Sequence, residues 1–257
     1  MNKTAVITGA TSGIGAAFAR HFAREGCNLL ITGRRADIIN ALAQELEQEF
    51  DISVQVLIAE FSLEADLNRV VEKVDSLLSV DVLINNAGFG KAGAFAKDNE
   101  LHWSMLNVHI IATLRLVEAV VPGMMERNRG IIINVSSLAA FFPMIGSTTY
   151  AATKGYLNSF SESLQMELWD YNIKVQALCP GMTTTDFHRK MGEAGKEIQD
   201  KYFLKWMKPE AVVKYSARKL SGNRVICIPG IVNKIMARLI PRLPRLLYYR
   251  IAKKARK

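Results

Sequence analysis

Seven short runs of apolar, largely β-branched residues recur along the chain, and they constrain the fold more than any other feature. Continuous runs of this kind are typical of strands buried on both faces of a parallel sheet. Helical periodicity fills the gaps between them, as in Ile14, Phe18 and Phe22, with Gly26 placed to end that helix. This alternation predicts an α/β fold, a doubly wound parallel sheet of about seven strands. The runs are AVIT at 5–8, LLIT at 29–32, VQVLIA at 54–59, VLIN at 82–85, IIINV at 131–135, VQAL at 175–178 and VICI at 225–228.

The length and composition indicate one ordinary globular domain. A chain of 257 residues, 49% hydrophobic and 22% charged, can bury a substantial core, and it contains no linker or repeat. We therefore expect a Rossmann-like catalytic domain over 1–230 and an appendage over 231–257. No signal peptide and no run of ~18 apolar residues is evident, so a cytoplasmic location is expected. Cys27, Cys179 and Cys227 lie in apolar runs without metal-ligand spacing, which predicts reduced core residues.

The positive charge of the protein is confined to its C-terminal part. Of the net charge of +9, +13 comes from residues after Glu210, where there is no acidic residue, so residues 1–210 carry −4. Nucleic-acid binding is not expected, because residues 1–210 have a net negative charge and contain no nucleic-acid-binding motif.

The appendage itself has an amphipathic pattern. Apolar residues recur every four positions at Ile231, Ile235, Leu239 and Leu243, with Lys234, Arg238 and Arg242 on a neighbouring stripe. Pro241 and Pro244 are expected to split it into two short helices. One interpretation is peripheral contact with the anionic inner membrane face, at ~1 kcal/mol per well-placed cation. The alternative is a tail packed over the substrate mouth or a neighbouring subunit.

The first apolar run is followed by a glycine-rich turn, TGATSGIG at 8–15, that opens the first helix. Helix-terminal N–H groups left exposed by glycines bind a dinucleotide pyrophosphate, although such a turn can also merely pack strand against helix. After the second run comes Gly33-Arg34-Arg35, with no acid before Asp37. Arginine binds a 2′-phosphate, so Arg34 favours NADP, unless one or both arginines face solvent. Glu60, after the third run, is placed to accept from an adenine amino group.

Asn85, Asn86 and Gly88 follow the fourth run at the same carboxyl edge of the sheet. Polar side chains inside an apolar run need partners, so we expect the two asparagines to be mainly structural. Gly88 is expected to lie near the cofactor.

Tyr150 and Lys154, in YAATK, are four residues apart and so share one helix face. A neighbouring ammonium favours the phenolate, and lowering the phenol pKa to about 7 takes roughly 4 kcal/mol. That demands a fixed positive charge, with a second one from a cofactor. The alternative is an interface tyrosine beside a solvated lysine.

Together these motifs resemble the short-chain dehydrogenase/reductase family over about residues 1–230. They occur in the family's order: TGATSGIG, NNAG, the asparagine of LNV, the second serine of INVSS, YAATK and the proline-glycine of LCPG. The resemblance implies an NAD(P)-dependent oxidoreductase with a single Rossmann-like domain, usually a homodimer or homotetramer. It implies no metal site.

The resemblance also implies roles for individual residues. Tyr150 would donate a proton to a substrate carbonyl that Ser137 polarises, and Ser137 is preferred to Ser136 by its spacing from the tyrosine. Lys154 would lower the phenol pKa and bind the nicotinamide ribose, and Asn107 would hold a water beside it. The implied cofactor contacts are Gly9, Thr11, Ser12, Gly13, Ile14, Gly15, Arg34, Glu60, Phe61, Asn86, Ala87, Gly88, Tyr150, Lys154, Pro180, Gly181 and Thr183. Two departures stand out: the family commonly has aspartate at Glu60, and many NADP-preferring members carry a basic residue just before Gly13, where this chain has none.

The segment after Gly181 is rich in apolar residues and predicts a lid over the open side of the site. It includes Phe187, Met191 and 202–207, with Gly192 and Gly195 as flexible points, and 141–144 could form the opposite wall. Few charges are available there, which favours an apolar substrate, although these side chains could instead pack a subunit interface or core. We therefore predict NADPH-dependent reduction of a hydrophobic ketone, a 3-oxoacyl thioester before a hydroxysteroid-type substrate. A non-catalytic NADP-binding sensor is the alternative from another class.

Overall fold

A seven-stranded parallel sheet forms the centre of the protein, whose computed structural model describes residues 3–97, 99–185, 206–222 and 224–254. The strands are β1 (Thr4–Ile7), β2 (Asn28–Gly33), β3 (Val54–Ile58), β4 (Val82–Asn85), β5 (Gly130–Val135), β6 (Ile173–Leu178) and β7 (Ile226–Cys227). Their order is β3-β2-β1-β4-β5-β6-β7, and every neighbouring pair is parallel. The predicted doubly wound, Rossmann-like sheet is confirmed.

Helices cover both faces of the sheet. The first six are α1 (Gly13–Arg24), α2 (Ala36–Glu49), α3 (Glu64–Asp75), α4 (Asn99–Leu106), α5 (Ala112–Glu126) and α6 (Thr148–Glu167). Successive strand residues point to opposite faces, so Ile7 packs in one core with α1 and α2, whereas Val6 packs in another with α3 and α5. The cores on the two faces bury the apolar runs that the sequence predicted as strands.

The first helix ends and the seventh begins at the residues that the sequence indicates. Gly26 has a positive φ of 75°, which glycine adopts without strain, just after α1 ends. Pro209 occupies the first turn of α7 (Pro209–Lys219), where its missing N–H costs no hydrogen bond. The three cysteines are free and buried, as expected.

One continuous helical stretch runs from Glu100 to Glu126, and by length and composition it could cross a membrane. Its inner side is buried against the sheet through Leu116, Val120 and Met124. Within the described residues this stretch is therefore a core helix of the α/β fold. A π turn, Asn107–Ile111, interrupts it between α4 and α5.

The C-terminal appendage is helical, as predicted. It consists of α8 (Ile231–Leu239), a 3₁₀ turn at Ile240–Arg242 that contains Pro241, and α9 (Arg245–Lys254). The last three residues of the basic KKARK run lie outside the described residues.

Candidate active site

The strand order reverses between β1 and β4, and parallel sheets bind ligands at the carboxyl edge of this position. The loops after these two strands touch each other. A Cβ on Gly9 would lie 2.9 Å from the Ala87 Cα, and one on Gly15 would lie 2.3 Å from the Gly9 carbonyl oxygen. Gly9 and Gly13 also have positive φ of 66° and 59°. Glycine is therefore required here by both space and backbone conformation.

Polar side chains hold this turn in place. The Asn85 amide donates to Asn134 Oδ1 at 2.9 Å, which ties β4 to β5. The Asn86 amide donates to the carbonyl oxygens of Thr8 and Gly9, both at 3.0 Å. These contacts agree with the structural role expected for the two asparagines, and they fix the backbone of the turn.

Helix α1 points its N-terminus into the same crevice. Ser12 precedes it in extended conformation, and its side chain makes no capping hydrogen bond. First-turn N–H groups without a side-chain cap, at the positive end of the helix dipole, are suited to an anion such as a pyrophosphate. A Cβ on Gly13 would lie 2.7 Å from Thr185 Cγ2, so the chain after β6 passes directly over the turn.

The two arginines after β2 have different partners. Arg34 Nη1 forms an ion pair with Glu60 Oε2 at 2.6 Å, whereas Arg35 Nη2 donates to Thr11 Oγ1 at 2.9 Å and to Ser12 Oγ at 2.8 Å. Sequence reasoning placed the phosphate contact on Arg34. It did not foresee that the Arg35 guanidinium lies on the glycine-rich turn. Arg35 supplies the positive charge that the sequence lacks just before Gly13.

The remaining predicted cofactor contacts surround this crevice or support it. Phe61 is buried in the core against α3 and α5, so only its backbone is available to a ligand. The Pro180 carbonyl accepts from the Leu138 N–H at 2.9 Å. Gly181 lies against the tail, since a Cβ on it would be 2.6 Å from the Asn233 side-chain amide. Thr183 is buried and pairs with Met207 in a parallel bridge.

Tyr150, Lys154 and Ser137 meet at the carboxyl edge of β5. Helix α6 carries the first two, and Ser137 follows β5 in extended conformation, where its hydroxyl shares a hydrogen bond with the Tyr150 hydroxyl. The neighbouring Ser136 is buried and donates instead to the Lys154 carbonyl at 2.8 Å. The geometry therefore distinguishes the two serines, with Ser137 facing the tyrosine.

The electrostatics of this group differ from the sequence expectation. Burial raises the pKa of Tyr150, and the Ser137 hydrogen bond offsets this only in part. Lys154 Nζ donates to the Val135 carbonyl at 2.8 Å and lies 5.8 Å from the centre of the Tyr150 ring. Burial lowers the pKa of Lys154 to about 8. The expected lowering of the phenol pKa is therefore not found in the protein alone, because desolvation of the phenol outweighs the Ser137 hydrogen bond.

Asn107 begins the π turn of the long helix. Its carbonyl accepts from the Ala112 N–H five residues on, and the π turn packs against α6. Such turns are frequent at functional sites. Within the described part of the chain the Asn107 side chain makes no hydrogen bond.

His109, in the same π turn, is a site residue that sequence reasoning missed. It is 1% exposed, accepts from the Phe89 N–H at 3.1 Å through Nε2, and lies 2.9 Å from Thr153 Oγ1 through Nδ1. Thr153 in turn donates to the Tyr150 carbonyl at 2.9 Å. Since a backbone N–H can only donate, Nε2 must be unprotonated and Nδ1 must carry the hydrogen. The one available signal was its position two residues after Asn107.

His109 also borders the turn after β4. A Cβ on Gly88 would lie 3.1 Å from His109 Nε2 and 3.5 Å from Lys154 Nζ. Burial, with a smaller effect of Lys154, holds the pKa of His109 well below its usual value. The neutral imidazole of His109 thus forms part of the wall of the site, next to Lys154.

Tyr150 also lines a cleft. Among the described residues its lining includes Phe95, Leu101, His102 and Met105. The His102 ring stacks on Phe95 at 4.5 Å and hydrogen-bonds the Phe95 carbonyl and the Thr149 hydroxyl. The predicted opposite wall, 141–144, begins half-buried and ends exposed. Most of the predicted lid, including Phe187, Met191, Gly192, Gly195 and 202–205, lies outside the described residues.

These residues fit a dinucleotide cofactor. The glycine cradle that Cβ atoms would fill, the uncapped N-terminus of α1 and the Arg35 guanidinium lie together at one end. Lys154 lies with Gly88 at the other end, beside Tyr150. Hydroxyl groups and an ammonium at that end can bind a ribose and exchange a proton with a substrate oxygen.

Comparisons with known proteins agree with this geometry. A family model described as short chain dehydrogenase matches residues 3–196. The chain is 35% identical to a serine 3-dehydrogenase of Agrobacterium fabrum, covering 79% of this chain and 81% of the relative. It is 28% identical to a very-long-chain 3-oxoacyl-CoA reductase of Mus musculus, covering 98% and 78%. A solved short-chain dehydrogenase from Sphingobium yanoikuyae in complex with NADPH superposes with a TM-score of 0.82 at 31% identity, covering 89% and 88%.

Proposed function

The chain belongs to the short-chain dehydrogenase family, and from this premise we propose that it is an NADPH-dependent reductase of hydrophobic ketones. Membership makes it an NAD(P)-dependent oxidoreductase that acts on CH–OH donors. The observation that carries the proposal is the hydrogen-bonded pair of Ser137 and Tyr150 beside a buried Lys154. This group suits proton transfer to a carbonyl oxygen.

The proposed chemistry divides between these side chains and the cofactor. Bound NADPH would supply the hydride. Ser137 would donate a hydrogen bond to the substrate oxygen and orient it toward Tyr150. The raised pKa of Tyr150 keeps its proton in place at neutral pH until negative charge develops on that oxygen, when the phenol becomes the donor. Lys154 would bind the ribose and stabilise the phenolate that remains, and Asn107 would hold a water beside it.

NADPH is preferred to NADH in this proposal because two arginines, Arg34 and Arg35, directly follow β2 and no carboxylate stands before Asp37. Arg35 lies on Thr11 and Ser12, and Arg34 pairs with Glu60 close by. A 2′-phosphate would gain a charge-assisted contact from the guanidinium groups, which a free hydroxyl would not. Glu60 remains the candidate for the adenine amino group. The NADPH complex of the Sphingobium relative supports the choice.

For the substrate we propose a 3-oxoacyl thioester. The cleft beside Tyr150 is lined in part by Phe95, Leu101 and Met105. The mouse relative, whose alignment covers 98% of this chain at 28% identity, is named for such a substrate. A hydroxysteroid-type ketone is the second candidate, because it too carries a ketone on a largely apolar skeleton. A non-catalytic NADP sensor is disfavoured by the retention of all four predicted catalytic residues.

The assembly and division of the chain are part of the proposal. We propose a homodimer or homotetramer, as is usual in the family, and a catalytic domain over 1–230 followed by the tail 231–257. We propose a cytoplasmic enzyme.

The test is a substrate panel measured with Tyr150→Phe and a matched control. Purified protein is assayed by NADPH absorbance with a 3-oxoacyl thioester and a ketosteroid, and in the reverse direction with serine. Tyr150→Phe should lose at least about 100-fold in turnover with NADPH affinity unchanged. Tyr156→Phe, on the same helix but stacked on Phe160, should retain activity. An active Tyr150→Phe protein would refute the proton donor, and NADPH binding without turnover of any substrate would favour the sensor.

A further inference from the structure

Helix α8 packs against the body of the protein with its apolar stripe facing outward. Ala237 is buried, whereas Ile231, Ile235 and Leu239 are 69%, 50% and 57% exposed. Residues four apart lie on one side of a helix, so these three form a single stripe, here called the outer ridge. A helix that serves only the core of its own chain would point this stripe inward.

Helix α9 also exposes apolar side chains. Leu246 and Leu247 of α9 are 72% and 47% exposed, and no residue of α9 is fully buried. The Tyr248 hydroxyl donates to the Pro143 carbonyl, which fixes α9 beside the segment after Ser137. Both α8 and α9 are therefore anchored to the body, through Ala237 and Tyr248, and each leaves apolar side chains uncovered by the described residues.

The charged side chains of these two helices are all positive. Lys234 and Arg238 flank the outer ridge and are exposed, and the described part of α9 adds Arg245, Arg250, Lys253 and Lys254. The chain has no acidic residue after Glu210. An apolar stripe edged with cations matches an anionic bilayer surface, where the apolar side chains enter the headgroup boundary and the cations meet phosphate groups.

The same charges disfavour a second copy as the occupant. In a two-fold interface the same patch meets itself, so Lys234 and Arg238 of one copy would face those of the other. The tail contains no carboxylate side chain to compensate for this repulsion. We propose that the outer ridge and its flanking cations dock this protein on an anionic lipid bilayer. This inference does not depend on which substrate the enzyme reduces.

Vesicle co-sedimentation of the full chain tests the proposal. The vesicles contain phosphatidylcholine and phosphatidylglycerol in equal parts, with pure phosphatidylcholine for comparison. We expect sedimentation with the mixed vesicles, weaker binding to the neutral ones, and loss of the difference at about 1 M salt, where charges are screened within ~3 Å.

Two substitutions with matched controls isolate the apolar and the charged parts. Ile235→Gln should weaken binding roughly tenfold, because it removes one apolar anchor. Leu78→Gln should leave binding unchanged, since Leu78 is 94% exposed but lies outside the tail, between α3 and β4. Arg238→Gln should weaken binding about fivefold, as expected for one cation near the surface. Arg24→Gln, an exposed position at the end of α1, is its control.

Three outcomes would overturn the proposal. One is wild-type protein that stays in the supernatant with mixed vesicles. Another is equal binding by Ile235→Gln and Leu78→Gln. The third is an Ile235→Gln protein whose vesicle binding is unchanged but which sediments as a smaller oligomer. That result would show that the outer ridge is an interface with a second copy of the chain. All of these substitutions are at exposed positions, and a thermal melt verifies that each variant is folded.

Discussion

The Nδ1 atom of His109 lies 2.9 Å from the Thr153 hydroxyl, and this contact joins the π turn to the helix that carries Tyr150 and Lys154. The Thr153 hydroxyl in turn donates a hydrogen bond to the Tyr150 carbonyl. The network holds the imidazole neutral, because its other nitrogen must accept from the Phe89 N–H. Protonation of His109 would break that contact and add a second positive charge near Lys154.

Acid should therefore destabilise the fold through His109. Its pKa is lowered in the folded protein, so between that value and about 6.5 the unfolded chain binds more protons, and stability falls as the pH falls. The loss from this residue approaches about 1.4 kcal/mol per pH unit. Urea unfolding at several pH values should show a shallower pH dependence in His109→Gln than in wild type. Equal slopes in the two proteins would contradict this account.

The two arginines after β2 should differ in cofactor selectivity. Arg35→Ala should weaken NADPH relative to NADH by roughly 10- to 100-fold, because a charge-assisted contact to the 2′-phosphate contributes about 1.5–3 kcal/mol. Arg34→Ala should have the smaller effect, since that guanidinium is held by Glu60. KM values for both cofactors measure the ratio. A larger loss of selectivity for Arg34→Ala would restore the ranking expected from sequence, and equal losses on both cofactors would argue against any phosphate contact.

Substitution of the two adjacent serines should have different effects on activity but similar effects on stability. Ser137→Ala should lower kcat about 100-fold by removing a hydrogen bond to the substrate oxygen. Ser136→Ala should retain most activity, because Ser136 donates to the Lys154 carbonyl and does not face Tyr150. Each change also removes a local hydrogen bond, and each should cost about 1 kcal/mol in unfolding free energy. Comparable kcat losses in the two variants would contradict the distinction.

The pH dependence should differ in direction between reduction and oxidation. Lys154, with a pKa of about 8, carries its charge below that pH and loses it above, while the raised pKa of Tyr150 keeps the phenol protonated. Ketone reduction should therefore be steady near neutral pH and decline above about 8. Alcohol oxidation needs the phenolate and should increase with pH. Initial rates in both directions measure this, and a reduction rate that climbs through pH 8 is the adverse result.

Much of the architecture was predictable from sequence because its signals are local. The continuous apolar runs become parallel strands, with VLIN occupying β4 at 82–85 as predicted. Gly9 and Gly13 lie in a turn and have positive φ, a conformation that a glycine at a turn position indicates directly. Tyr150 and Lys154 share a helix face by spacing alone.

Other features depended on which distant segments come together. Both arginines follow β2, yet only the packing against the glycine-rich turn and against Glu60 decides where each guanidinium points. The pKa of Tyr150 follows from its burial, which no spacing encodes, and the same holds for His109. The sequence by itself determined the order of strands and helices and the residue types at the site. Tertiary structure decided the desolvation and the partners of each side chain, and the outward face of the Ile231–Leu239 helix, because these depend on contacts between residues far apart in the chain.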